Sequence, residues 1–215
     1  MDPDQTPEEQ AAVEDAKRQW NVVRESSESC LMMTFMDKDS GFQFSVGTTA
    51  LMRKVESDAQ MFQAAVLKQG INNFANGRPY VLCGDFGSNP DEPTREVFEK
   101  EATGDFNLAM PKGSWSGFEP PCCHTCLRDA YRAHFTHAAP LTSCYLRDDQ
   151  AAEGFSAVTA SWDAIYVTAS VRVADADTLP TIPDQARKEA GGLIPSKEWF
   201  SDHYPVAVTV EFVNV

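Results

Sequence analysis

The densest group of chemistry-capable side chains is Cys122-Cys123-His124-Thr125-Cys126, with His134 and His137 a short way downstream. Cys123 and Cys126 form a C-x-x-C, a spacing used by zinc sites and redox pairs. Zinc requires four ligands converging as a tetrahedron, and the seven residues between Cys126 and His134 fall short of finger spacing. Ordinary reduced cysteines in a loop are the better fit. A second cluster, Gly84-Asp85-Phe86-Gly87, sets a carboxylate between two residues that tolerate positive φ. These glycines read as turn residues and not as a phosphate cradle, because no G-x-x-x-x-G-K-[ST] exists. The acidic residues of Glu92–Glu101 read as a solvated helix face. Trp115 and Phe118 lie in a Gly/Pro-rich loop, where they either cap the core or form a contact surface; the sequence leaves both open.

Charge narrows the field. The 215 residues carry 32 acidic and 18 basic side chains, a formal charge of −14. A protein that grips nucleic acid needs a basic excess on at least one face, and this field repels polyanions. No apolar run reaches the roughly 18 residues of a bilayer span. The N-terminal stretch MDPDQTPEEQAAVEDAK has neither the apolar segment of a secretory signal nor the Arg/Ser-rich look of a transit peptide. Six unevenly spaced cysteines do not suit a disulfide scaffold at this length and favour a reduced, intracellular setting, either cytosol or organelle interior.

The elements that must position such residues alternate along the chain. Thr6-Pro7-Glu8-Glu9 forms a capping box with proline at the first helical position, predicting a helix to about Trp20. Cys30–Phe35 and Phe42–Thr48 read as a hairpin around Asp37–Gly41. Ser57-Asp58-Ala59-Gln60 opens a helix whose stripe is Met61, Ala64, Leu67, Ile71 and Phe74, ended by Asn76–Pro79. Tyr80–Cys83 is a short buried strand, and Pro93–Glu101 a short helix. Leu127–Phe135, Ser161–Thr168, Val171–Ala174 and Pro205–Val213 read as strands, with loops at Met110–Pro121 and Asp175–Lys197. The order predicts an α/β or α+β chain, with an acidic helical arm over residues 1–24 and one domain over 25–215.

Five motifs in order resemble one family. Arg78–Pro90 (RPYVLCGDFGSNP) is similar to the GDFN-x-x-P strand end of the endonuclease/exonuclease/phosphatase superfamily. Leu127–Tyr131 resembles its DAY strand, Ser161–Val167 its LDYIF strand, Ser201–Pro205 its terminal SDH-x-P, and Phe44–Leu51 stands where the family writes NTHL. Together they cover about three quarters of the chain and look most like the deadenylase and nocturnin-like branch. The resemblance implies a sandwich of two mixed sheets flanked by helices, here partial. It also implies phosphoester hydrolysis with Mg²⁺ or Mn²⁺ at the strand ends. By that resemblance Asp85 orients or deprotonates water, Asp163 supports the catalytic histidine, Asp202 neighbours the metal, and His203 contacts the phosphate.

The departures point elsewhere. The family asparagine two residues after Asp85 is Gly87, and the THL histidine is Ala50. The segment carrying the family's metal-binding glutamate has no counterpart; Glu8 and Glu9 belong to the capped helix start. Each such loss typically costs about a hundredfold or more in rate. The expectation is therefore a degenerate phosphodiesterase-like domain serving as an accessory subunit among other protein subunits, without cofactor, with Asp85, Asp163, Asp202 and His203 as vestiges. No nucleic-acid partner and no membrane span are expected, although a peripheral membrane contact stays open. The alternative is a Mg²⁺-dependent phosphodiesterase or phosphatase using the same four residues.

Overall fold

The computed structural model describes residues 6–25, 28–53, 57–100, 125–134, 142–149, 154–176, 203 and 205–213. Cys122, Cys123, His124, His137, Trp115, Phe118, Asp202 and most of the Asp175–Lys197 segment lie outside the described residues.

The N-terminal capping box forms as its residue types require. The Thr6 N–H donates to Glu9 Oε2 (2.7 Å) and the Glu9 N–H to Thr6 Oγ1 (3.2 Å). The helix it opens, α1 (Pro7–Glu25), runs past Trp20 and lies against the second helix, α2 (Ser57–Ala75). Strands β1 (Cys30–Met36) and β2 (Gln43–Ala50) pair antiparallel through the expected hairpin, whose turn closes when the Ser40 N–H and hydroxyl donate to Asp37 Oδ1. After α2 come β3 (Tyr80–Asp85) and the short helix α3 (Pro93–Glu99). The remaining elements are β4 (Arg128–Asp129), α4 (Ala130–His134), β5 (Ser143–Asp149), β6 (Gly154–Ala160), β7 (Asp163–Val167), β8 (Val171–Ala176) and β9 (Val208–Phe212).

Five strands make one mixed sheet in the order β1-β2-β3-β7-β4, and β5-β6 and β8-β9 form two further pairs. One face of the large sheet packs on α2 and α3 around Leu51, Ala64, Ile71, Leu82, Phe86 and Phe98. Within that core Phe86, Phe98 and Tyr166 form a triad with centroids 5.1–5.3 Å apart, each pair contributing about 0.5–1.5 kcal/mol beyond area burial. The other face packs on β8-β9 through Val167, Val171, Val208, Val210 and Phe212. The β9 alternation expected from Val206, Val208, Val210 and Phe212 is the pattern that builds this second layer. The result is an α/β chain with a partial sandwich flanked by helices.

Two expectations differ from the structure, and one pair of strands is additional to them. Leu127–Phe135 is not a strand, because only Arg128–Asp129 pairs with β7 and a helix follows. Asp129 decides this, since its Oδ1 accepts the N–H groups of Tyr131 and Arg132 and so caps α4. Phe74 closes the predicted α2 stripe, yet it is 43% exposed and Ala75 takes the buried position. The β5-β6 hairpin was not foreseen.

Beneath the sheet lies a buried cation. Arg95 is fully enclosed and pairs with Asp129 at 3.0 Å. Its Nε donates to the Tyr166 hydroxyl (2.6 Å), and Nη1 donates to the carbonyls of Ser88 (3.4 Å) and Trp162 (3.3 Å). The Tyr166 hydroxyl in turn donates to Glu99. Burial pushes both the Tyr166 phenol and the Glu99 carboxyl above their ordinary pKa values. A buried charge persists only when its donors are used, and here Arg95 ties together the two loops that flank the carboxylates described next.

Candidate active site

Asp85 ends β3 and Asp163 begins β7, and the two are antiparallel register partners. The chain is held there on every side: Phe86 N–H donates to Trp162 O (2.8 Å), Leu51 N–H to Asp85 O (2.8 Å), and Asp163 N–H to Thr142 Oγ1 (3.0 Å). His203, bridged to Ser143, brings its ring to this point, with Nδ1 2.7 Å from Asp163 Oδ2 and 3.2 Å from Ser143 Oγ. Its Nε2 lies 4.0 Å from Asp85 Oδ2. Three of the four residues expected from sequence are thus assembled; Asp202 lies outside the described residues.

The sequence reading missed the fourth member of the cluster. Arg53, in the segment after β2, donates through Nε to Asp85 Oδ2 (2.7 Å), and its Nη2 contacts both Asp85 Oδ2 and His203 Nε2. The guanidinium also stacks 4.9 Å above the Trp162 ring, a cation–π contact that fixes its plane. Nothing in its local motif announces Arg53. Its signal is position, since it follows a strand end at the same sheet edge as Asp85, where α/β folds place their sites.

Proton placement follows from donor chemistry. A guanidinium only donates, so His203 Nε2 accepts, which puts the imidazole proton on Nδ1 facing Asp163. The Asp163 hydrogen bond raises the His203 pKa above its ordinary value; burial and Arg53 oppose it, and the charges of Asp163 and Asp85 assist it.

Around Asp85 the backbone is built for glycine. Gly84 has φ +145°, and a Cβ there would stand 1.9 Å from Thr49 O. Gly87 has φ +59°, and a Cβ there would stand 2.8 Å from both Met52 O and Gln60 Nε2. The Gln60 carboxamide fills that space, donating to Met52 O (2.6 Å) and Gly87 O (3.0 Å) and accepting from Thr94 Oγ1 (3.0 Å). Asn89 does not substitute for the family asparagine. Its Oδ1 accepts the Ser161 N–H (3.1 Å) and its Nδ2 donates to Glu92 Oε1 (2.9 Å). Ala50, in the THL histidine position, is the parallel register partner of Asp85 and offers only a methyl group.

The human nocturnin catalytic domain, solved with a bound sulfate anion, superposes with a TM-score of 0.56 at 20% identity, covering 87% of this chain and 54% of nocturnin's. An endonuclease/exonuclease/phosphatase from Bacteroides vulgatus gives 0.51 at 22% identity, over 85% of this chain and 55% of that one. The chain has the endonuclease/exonuclease/phosphatase fold. ANGEL2, a 2',3'-cyclic phosphatase solved with adenosine-2',3'-vanadate, shares this fold with a TM-score of 0.56 at 19% identity, over 85% and 66% of the two chains. The chain spans a little over half the length of the nocturnin and Bacteroides structures. A scan of protein-family models and a search of curated proteins by sequence each return no match.

The motif resemblance implies Mg²⁺ or Mn²⁺, which bind oxygen donors with open lone pairs. The described residues do not fit such an ion. Asp163 is directed to His203, Asp85 Oδ2 to Arg53, and a cation placed between them would meet the guanidinium charge. Among the described residues no three His, Cys, Asp or Glu side chains gather as a metal set. The same statement covers Cys126 and His134; the other residues of the C-x-x-C cluster lie outside the described residues.

Proposed function

We propose that the chain is a catalytically degenerate phosphoesterase-fold domain that works as an accessory subunit of a protein assembly. The observation that carries this reading is the engagement of Asp85. Its Oδ1 accepts the Gly87 N–H (2.8 Å) and its Oδ2 is paired with the Arg53 guanidinium, a pairing that must loosen before that oxygen takes a water proton. Ala50 and Gly87 remove two further groups from the same constellation, where the loss of one member already costs most of what the set supplies.

The docking half of the proposal rests on β1. Among the described residues it pairs only with β2, leaving an open edge. Leu31, Met33, Phe35 and Met36 are 62%, 51%, 41% and 60% exposed. The strand CLMMTFM contains none of the Lys, Pro or charged residues that blunt free edges. A charge of −14 opposes pairing with a second copy, which leaves an uncharged or basic extended segment, added as a strand, as the occupant that fits this edge.

The test is turnover of a phosphomonoester and a phosphodiester with Mg²⁺ or Mn²⁺ present. The reading expects wild type to match Asp85→Ala and His203→Ala at background. Turnover that both substitutions abolish overturns it in favour of a hydrolase. One observation favours that second reading: the His203–Asp163 pair is intact at 2.7 Å. In it Arg53 leaves Asp85 and His203 Nε2 for a phosphoryl oxygen, Asp85 takes the water proton, and His203, having taken a solvent proton on the freed Nε2, passes it to the leaving oxygen.

A further inference from the structure

Asp163, His203 and Asp85 stand in the order of a carboxylate-backed imidazole beside a second oxygen donor. A metal-bound imidazole nearly always donates its other ring N–H to a carboxylate or carbonyl, which fixes the tautomer and turns the free lone pair toward the ion. Here Nδ1 faces Asp163 Oδ2 at 2.7 Å, so the lone pair of Nε2 points away from Asp163. Asp85 Oδ2 lies 4.0 Å from that Nε2, a gap that one ion spans at roughly 2.0–2.2 Å from each donor.

The cation in this gap is a guanidinium. Arg53 Nη2 contacts Asp85 Oδ2 and His203 Nε2 together, and Nε reaches the same carboxylate oxygen at 2.7 Å. The guanidinium rests 4.9 Å from the centre of the Trp162 ring, a stacking contact that a planar delocalised cation makes well. The chain that delivers it is anchored. The Met52 N–H donates to Gln63 Oε1 (2.9 Å), and Met52 O accepts from Gln60 Nε2 (2.6 Å), both from buried side chains of α2. Arg53 therefore starts from a fixed point and ends on three partners. A divalent ion and this guanidinium compete for the same two lone pairs, so one excludes the other.

We infer that Arg53 is the built-in cation of this cluster: its guanidinium occupies a two-donor position suited to a divalent ion, between Asp85 Oδ2 and the Asp163-backed His203 Nε2, and keeps such ions out. The inference concerns ion binding and is read without turnover, so it stands or falls separately from the function proposed above. Paramagnetic Mn²⁺, which suits carboxylate oxygen better than thiolate, is the probe. NMR of the His203 ring in the full chain follows its approach. Wild-type His203 signals are expected to persist in substoichiometric Mn²⁺. In Arg53→Ala, and in Arg53→Gln where the longer side chain better preserves the packing on Trp162, the same signals are expected to be lost, and a chelator restores them. Adding Asp85→Asn to either variant returns the signals to their wild-type persistence. Three results overturn the inference: equal loss of the His203 signals in wild type, signals that persist in both Arg53 variants, or loss in those variants that survives Asp85→Asn.

Discussion

Arg53 Nε lies 2.7 Å from Asp85 Oδ2, so a cation from the segment after β2 closes on the carboxylate at the end of β3. The same guanidinium reaches His203, which Asp163 holds from the other side. The cluster therefore alternates acid, base, imidazole and acid. Two consequences concern its protonation, and two concern the scaffold beneath it.

Removing the guanidinium tests its hold on the imidazole. Arg53 lowers the His203 pKa while Asp163 and Asp85 raise it, so Arg53→Ala moves that pKa further up. NMR titration of the His203 ring reads the shift directly. The pair is partly exposed, so the stability cost is about 1 kcal/mol or less.

The raised His203 pKa also fixes the sign of a pH effect. A group that binds its proton more tightly when folded contributes stability in full below its unfolded pKa, and that contribution is lost as pH rises through the folded value. Melting temperature measured across this window falls with rising pH in wild type more than in His203→Gln. Asp163→Asn, which removes the largest cause of the shift, flattens the profile in the same way.

Restoring the family asparagine does not restore a site. Gly87→Asn places a Cβ against the Met52 carbonyl and the Gln60 carboxamide. Overpacking of this kind costs about 1–3 kcal/mol, read as a lower denaturant midpoint. Gain of turnover without loss of stability contradicts the packing described here.

Arg95 is the bolt between the two carboxylate loops. Arg95→Ala leaves Asp129 buried and unpaired, a loss of about 3–5 kcal/mol by chemical denaturation. Removing both charges while keeping the cap acceptor of α4, Arg95→Met with Asp129→Asn, costs less than the single change. That double variant also releases the Ser88 and Trp162 carbonyls, so the His203 pKa moves even where the fold survives.

Much of the site was legible because its residues sit in motifs that also build strands. Asp85 and Asp163 stand at strand ends, and the apolar residues beside them, such as Leu82 and Val167, identify those strands. Arg53 was not legible, since its role arises from closure across 150 residues to His203 and not from its neighbours. The helix at Ala130–His134 was hidden by an apolar-looking run whose outcome turns on one capping carboxylate, Asp129. The hairpin β5-β6 was hidden because SCYLRDD carries three consecutive charged residues that break the strand pattern. At Phe74 the helical period was right, but local packing prefers the smaller Ala75 inside.

The most direct test of the accessory role is the native mass of this protein in a gentle extract of its source, by gel filtration with detection of this chain. The account predicts elution well above the single-chain mass with stoichiometric companions, and return toward that mass when Met33→Lys places a charge on the β1 edge. Elution of wild type at the single-chain mass, with phosphoester turnover in the same fractions, contradicts it.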